Sequence, residues 1–151
     1  MSDLPAKPLP VVTDLKRPFW RGAREGRLMI QKCPRCGTVN FHPKPWCIEC
    51  GCRELEWKQM KPTGTIYSFT VSRSVAMNYR GWQDELPVVL CLVDIDEGAR
   101  MYAQLKEVRS EDVQVGMRVQ ALFEPICEEY GIPVFRPFQA DGLSPSALNS
   151  A

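Results

Sequence analysis

At 151 residues, 44% hydrophobic and 25% charged, the chain has the composition of an ordinary globular protein, long enough for one moderate core or a small module beside a larger one. A formal charge of +1 and a sequence pI near 7.5 argue against a dedicated nucleic-acid binder, and no apolar run reaches the length needed to cross a bilayer. The neutral total hides a split: residues 1–80 carry fourteen Lys and Arg against six Asp and Glu, and residues 81–151 carry five against twelve. An anionic partner for the first half, pairing between the halves, or plain solvation of an exposed face would each account for it.

In chain order, residues 1–13 form an extended arm, set by Pro5, Pro8 and Pro10, that orders only against a partner or the body of the protein. Those prolines stand where a signal peptide would have its apolar core, so a reducing cytosol is the expected compartment. Asp14 offers an N-cap to a short helix ending at Arg24, with Leu15, Phe19, Trp20 and Ala23 on one face. Pro18 is tolerated only in a first turn, which moves the expected start towards Arg17. Leu28 to Gln31 reads as a strand leading into Cys33-Pro34-Arg35-Cys36-Gly37, with a return strand from Thr38 to Phe41. Pro43 and Pro45 turn the chain into Cys47-Ile48-Glu49-Cys50-Gly51, and Glu54 to Trp57 closes the unit.

Two Cys-x-x-Cys turns with ten residues between them can face each other as a tetrahedral thiolate cage, the geometry Zn²⁺ accepts. Cys33, Cys36, Cys47 and Cys50 are therefore the expected ligands, and a full set of four makes the site structural. His42 or Cys52 could replace one thiol. A pair of disulfides is disfavoured in a chain without a secretory signal, and a thioredoxin-type redox pair would need a βαβ context. A ribbon of about 30 residues cannot hold itself together by burial alone, so metal binding is expected to form part of its folding free energy.

Beyond Gly64 the pattern is all-β. Strands are expected at Thr65 to Val71, Pro87 to Asp94, Ala99 to Leu105, Met117 to Phe123 and Pro133 to Phe138. Asp96-Glu97-Gly98 makes a hairpin turn, and Ser110 to Val113 a capped helical turn after the third strand. That order fits a five-stranded OB-type barrel. The expected organisation is an arm over 1–13, helix and zinc ribbon over 14–62, barrel over 63–140 and a flexible tail over 141–151. Cys91, inside an apolar strand, reads as core filler, and the loop Tyr79 to Gln83 as a partner or ligand contact.

The residues Pro18-Phe19-Trp20, Gly26-Arg27-Leu28, the two Cys-x-x-Cys-Gly turns, Trp57, Gly64 to Thr70, Val93 to Gly98, Gly116 to Val119 and Pro133 to Pro137 come in an order that resembles the zinc-ribbon/OB-fold proteins of acyl-CoA metabolism. The resemblance implies a mainly β fold, with an N-terminal helix and a rubredoxin-like ribbon before the barrel. It also implies a non-catalytic accessory subunit in a hetero-oligomer with a thiolase or thiolase-like acyltransferase, the alternatives being a CoA-thioester hydratase or aldolase. For such a subunit, the anionic CoA nucleotide would meet the positive first half at Arg24, Arg27, Lys32, Arg35, Lys44, Arg73 and Arg80; Trp20, Trp46, Trp82 and Phe41 are the aromatic candidates for partner anchors. Single-stranded nucleic acid stacking on Tyr67, Phe69, Tyr79 and Trp82 is the competing function, opposed by the acidic barrel half. A purely structural adaptor without ligand contact is a third.

Overall fold

The computed structural model describes residues 7–74 and 79–140. The flexible-tail expectation for 141–151 and the first half of the arm lie outside them. Helix α1 (Arg17–Arg24) is the first regular element. Asp14 does not cap it: the N–H groups of Lys16 and Arg17 bond to the Thr13 carbonyl, and the Asp14 carboxylate pairs with the Arg17 guanidinium at 2.5 Å. Pro18 in the first turn fixes the later start, because its ring cannot follow a preceding helical turn. The helix buries Phe19, Gly22 and Ala23, a three-to-four-residue stripe, against the rest of the chain. Eight residues are too few to be stable alone, so this packing is what holds the helix.

Strands β1 (Leu28–Lys32), β2 (Val39–Asn40) and β3 (Glu56–Met60) form an antiparallel sheet in the order β2-β1-β3. The closing strand is shifted from the expected Glu54–Trp57: Glu54 and Leu55 lie outside it, and it runs on to Met60. It pairs with β1 along its whole length, from Lys32↔Glu56 to Leu28↔Met60, so backbone pairing extends it through the polar residues Lys58 and Gln59.

Strands β4 (Thr63–Ser72), β5 (Val88–Ile95), β6 (Arg100–Leu105), β7 (Arg118–Pro125) and β8 (Gly131–Pro137) close into a barrel in the order β4-β5-β6-β8-β7, with β7 returning to β4 and β6 parallel to β8. A register shift between Ile66 and Ser68 bulges Tyr67 outward. The five strands stand close to their expected positions, and Ser110–Asp112 forms a 3₁₀ turn, though without the expected side-chain cap. Residues 80–83, expected as loop, form a one-turn helix, α2 (Arg80–Gln83).

The fold is mostly β, a helix and zinc-ribbon region followed by a five-stranded OB barrel. A single apolar cluster runs through both parts, joining Phe19, Leu28, Ile30 and Met60 to Ile66, Val93, Met101, Val119 and Phe135. Helix α1 touches β1 on one side and β7 and β8 on the other. Gly131 at the start of β8 permits this approach, since a Cβ there would lie 2.8 Å from the backbone nitrogen of Arg24.

Candidate metal centre

The two Cys-x-x-Cys turns are built alike. In the first, the Cys33 N–H bonds to the Thr38 carbonyl (2.9 Å) and the Gly37 N–H to the Cys33 carbonyl (2.9 Å). In the second, the Cys47 N–H bonds to the Cys52 carbonyl (2.8 Å) and the Gly51 N–H to the Cys47 carbonyl (3.0 Å). Gly37 and Gly51 sit at φ +77° and +71°, a conformation that costs glycine nothing and curls the backbone around the preceding sulfur.

The four sulfurs of Cys33, Cys36, Cys47 and Cys50 lie within 4.8 Å of one another, with Cys33–Cys50 at 3.5 Å and Cys36–Cys47 at 3.6 Å. A tetrahedron with Zn–S bonds of about 2.3 Å has edges of about 3.8 Å, so the thiols are already spaced as a zinc ligand set. His42 and Cys52 are not members of this cluster. The surroundings shift two of these thiols in opposite directions. Backbone N–H groups of Cys50 and Glu49, with help from Cys36 and Asn40, draw the Cys47 thiol down to about 6 against the opposing effect of burial. At Cys50 the backbone N–H of Cys52 also favours the thiolate, but burial and the crowding of the other three sulfurs push it up to about 12.

Two buried amides, which the sequence reading did not single out, hold the second turn. Gln31 and Asn40 are cross-strand partners on β1 and β2, 3% and 1% exposed. Gln31 accepts the Lys44 N–H at 2.7 Å and donates to the Lys44 carbonyl at 3.2 Å. Asn40 accepts the Ile48 N–H at 3.1 Å and donates to the Thr38 carbonyl at 3.1 Å and to Cys47 Sγ at 3.8 Å.

Residues 20–56 match the family model for the ChsH2 rubredoxin-like zinc ribbon domain, and residues 57–124 the model for the ChsH2 C-terminal OB-fold domain. A DUF35 domain-containing scaffold protein of Methanocaldococcus jannaschii is 32% identical over 113 residues, covering 73% of this chain and 77% of that protein. The chain belongs to the DUF35 scaffold family. Another member, from Pyrococcus furiosus, is 32% identical over 126 residues, 83% of each chain. A probable enoyl-CoA hydratase alpha subunit of Thermomonospora curvata is 32% identical over 120 residues, which are 79% of this chain but only 36% of that relative's length. Among solved structures, an Ltp2-ChsH2(DUF35) aldolase superposes with a TM-score of 0.73 at 30% identity, over 85% of this chain and 98% of that one. The cysteine cluster of this DUF35 chain lies inside the region matched to the zinc ribbon.

The cations and aromatics expected to meet CoA or a partner fall on separate elements. Arg24, in the last turn of α1, donates from Nε to the Glu128 carbonyl at 3.2 Å, and Arg27 pairs with Glu25. Lys32, at the end of β1, lines a cleft of about 250 Å³ with Lys58, Val39, Gln59, Met60 and Glu97. Arg35 is exposed between the first two cysteines. Lys44 is held through its backbone by Gln31. Arg73 follows β4 and acts electrostatically on Glu111, whereas Arg80 on α2 pairs with Asp84 at 3.8 Å. Trp20 packs on the core, edge-on to Phe19 at 5.2 Å, and Trp46 on the second turn is 52% exposed. Trp82 is covered by the Lys7 ammonium at 4.4 Å, and Lys7 also pairs with Glu85, so Lys7 lies against α2 and the segment after it.

Three of the four aromatics expected to stack on bases are already engaged, Tyr79 being the exception. Arg100 sits over the Tyr67 ring at 3.4 Å, Phe69 packs on the core and Trp82 carries Lys7. Cys91, 2% exposed, donates to the Ala103 carbonyl at 3.3 Å, and burial pushes its thiol up to about 11, as expected of a core filler. No helix among the described residues is long and apolar enough to cross a membrane.

Proposed function

We propose that this chain is the zinc-binding, non-catalytic accessory subunit of a hetero-oligomeric enzyme acting on CoA thioesters. The observation that carries the reading is the superposition, over nearly the whole of its chain, on the protein from an Ltp2-ChsH2(DUF35) aldolase, supported by the relative described as a hydratase alpha subunit. The partner class is thiolase-like on the family resemblance stated at the outset. The names of these relatives favour a hydratase or aldolase as the second reading. Zn²⁺ held by Cys33, Cys36, Cys47 and Cys50 stiffens the ribbon, and the chemistry belongs to the partner chain.

The CoA nucleotide phosphates meet the ribbon edge, where Lys32 and Arg35 have no carboxylate partner among the described residues; Arg24, Arg27, Lys44, Arg73 and Arg80 are secondary candidates. The exposed Trp46 is the better partner anchor, since Trp20 is committed to the core and Trp82 to Lys7. In this reading the assembly works in the cytoplasm.

The test is purification of the tagged full chain from its host at moderate salt, identification of any stoichiometric companion, and reconstitution of turnover. Recovery of a thiolase, hydratase or aldolase whose CoA-thioester turnover requires this chain supports the proposal. Salt-dependent capture of single-stranded nucleic acid, without a CoA enzyme, overturns it. In the reconstituted complex, neutralising Lys32→Gln with Arg35→Gln is expected to raise KM for the CoA thioester several-fold with a smaller effect on kcat. An unchanged KM removes CoA from this surface and leaves the adaptor role.

A further inference from the structure

Gln31 and Asn40 are the two polar side chains fully buried among the described residues, and they face each other across β1 and β2. Burying an amide is costly unless its groups are paired; Gln31 turns both its groups towards one segment, and Asn40, which also donates to the Thr38 carbonyl at 3.1 Å, turns its oxygen and a second N–H contact to the same segment. That segment, residues 44–52, contains no strand. Its internal bonds, Cys47 to Cys52 and Gly51 to Cys47, only close its own turn. Apart from contacts between the sulfurs, the hydrogen bonds tying it to the rest of the described chain all come from these two amides. Gln31 treats Lys44 as a neighbouring strand would, with both backbone groups satisfied, while Asn40 reaches the Ile48 N–H and the Cys47 sulfur on either side of that peptide.

We propose that Gln31 and Asn40 are positioning residues for the metal centre: together they brace the second cysteine pair in ligating position, and the Asn40 carboxamide N–H steadies the Cys47 sulfur. The proposal rests on the four-cysteine set holding Zn²⁺. Two roles are divided between the side chains. Gln31 fixes where the turn sits, so that Cys47 and Cys50 are delivered opposite Cys33 and Cys36. Asn40 adds a donor to the sulfur itself, where a group unable to donate leaves the thiolate charge less compensated.

The experiment uses the full chain, loaded with Zn²⁺ for affinity by competition with a chromophoric chelator and with Co²⁺ for spectroscopy. Asn40→Asp keeps the shape and the acceptor for the Ile48 N–H but sets a carboxylate against the Cys47 sulfur. It is expected to weaken Zn²⁺ binding 10- to 100-fold and to shift the thiolate-to-Co²⁺ charge-transfer band. Gln31→Met, uncharged and close in volume, keeps the test open if the first variant does not fold. It is expected to speed metal release to the chelator about tenfold while leaving the Co²⁺ spectrum close to wild type, because the four sulfurs and their donors are unchanged. Variants that match wild type in affinity, release and spectrum, in a wild-type chain that fills normally, overturn the brace alone. A wild-type chain that takes up no Co²⁺ overturns the metal reading and the brace with it.

Discussion

Arg118 and Asp96 show what one residue pair does at the barrel seam. Arg118 Nη1 and Nη2 reach the two Asp96 oxygens at 2.6 and 2.8 Å, and Thr63 Oγ1 donates to the same carboxylate at 2.6 Å, tying β7 and the β5–β6 turn to the start of β4. Arg118 first, then Thr63, draw the Asp96 carboxyl down to about 2. Because the native value is depressed, the contribution to stability is complete above about pH 4 and is lost as pH falls through about 2. Arg118→Ala is expected to lower stability at neutral pH and to remove most of that acid dependence. Carboxyl NMR titration checks the premise: an Asp96 that titrates in the ordinary carboxylate range in the wild type refutes it. Residues of this kind differ in how far sequence exposes them. The four cysteines were legible because their chemistry is fixed by spacing within two short turns. Gln31 and Asn40 were not, because a buried amide looks in sequence like any polar residue on a solvated strand face, and only the position of residues 44–48 gives it partners.

At the scale of elements, the barrel strands were readable as short β-rich or apolar runs between turn signals; β5, a nearly continuous apolar run in sequence, buries the alternate series Val89, Cys91, Val93, Ile95. Strand β3 was ended too early because its outer half is polar and is held by backbone pairing to β1, which leaves no hydrophobic signature. Helix α1 carried the opposite problem: its apolar residues were visible, but not the two surfaces they would meet. Its approach to β8 depends on Gly131, where an added Cβ would fall 2.8 to 2.9 Å from the helix backbone and neither side can yield as a flexible side chain would. Gly131→Ala is expected to cost about 1–3 kcal/mol, the usual range for overpacking. Denaturant unfolding measures it, and a midpoint within error of wild type would show that α1 is free to shift away from β8.

Across the whole molecule, the charge split resolves into two different behaviours. All five cations of residues 81–151, Arg100, Lys106, Arg109, Arg118 and Arg136, pair with carboxylates of that same half. Apart from the local Arg80–Asp84 pair, one ion pair among the described residues joins the halves, Lys7 to Glu85. Pairing between halves is thus a minor part of the asymmetry, and the amino-terminal excess is left at the surface. The metal acts on the same scale in a restricted way. Phe19, Leu28, Ile30 and Met60 share the barrel's core, so most of the ribbon sheet does not depend on zinc for its burial. Chelation is expected to raise hydrogen exchange across residues 33–52 while α1, β1 and the barrel strands stay protected, as mass spectrometry of the peptides would show. Loss of protection in β4 to β8 on the same timescale would instead make the ion a support of the entire fold.

Residues Lys61 and Pro62 alone separate β3 from β4, and α1 bridges the same junction from the other side. Such a joint is expected to act as a splinted beam, holding the cysteine turns at a set distance from the barrel wall. An assembly gripping both ends of this chain would therefore inherit a fixed spacing, and the subunit would serve it as a ruler. Spin labels at Trp46 and Tyr102, both exposed, would report that stiffness as a single narrow distance distribution.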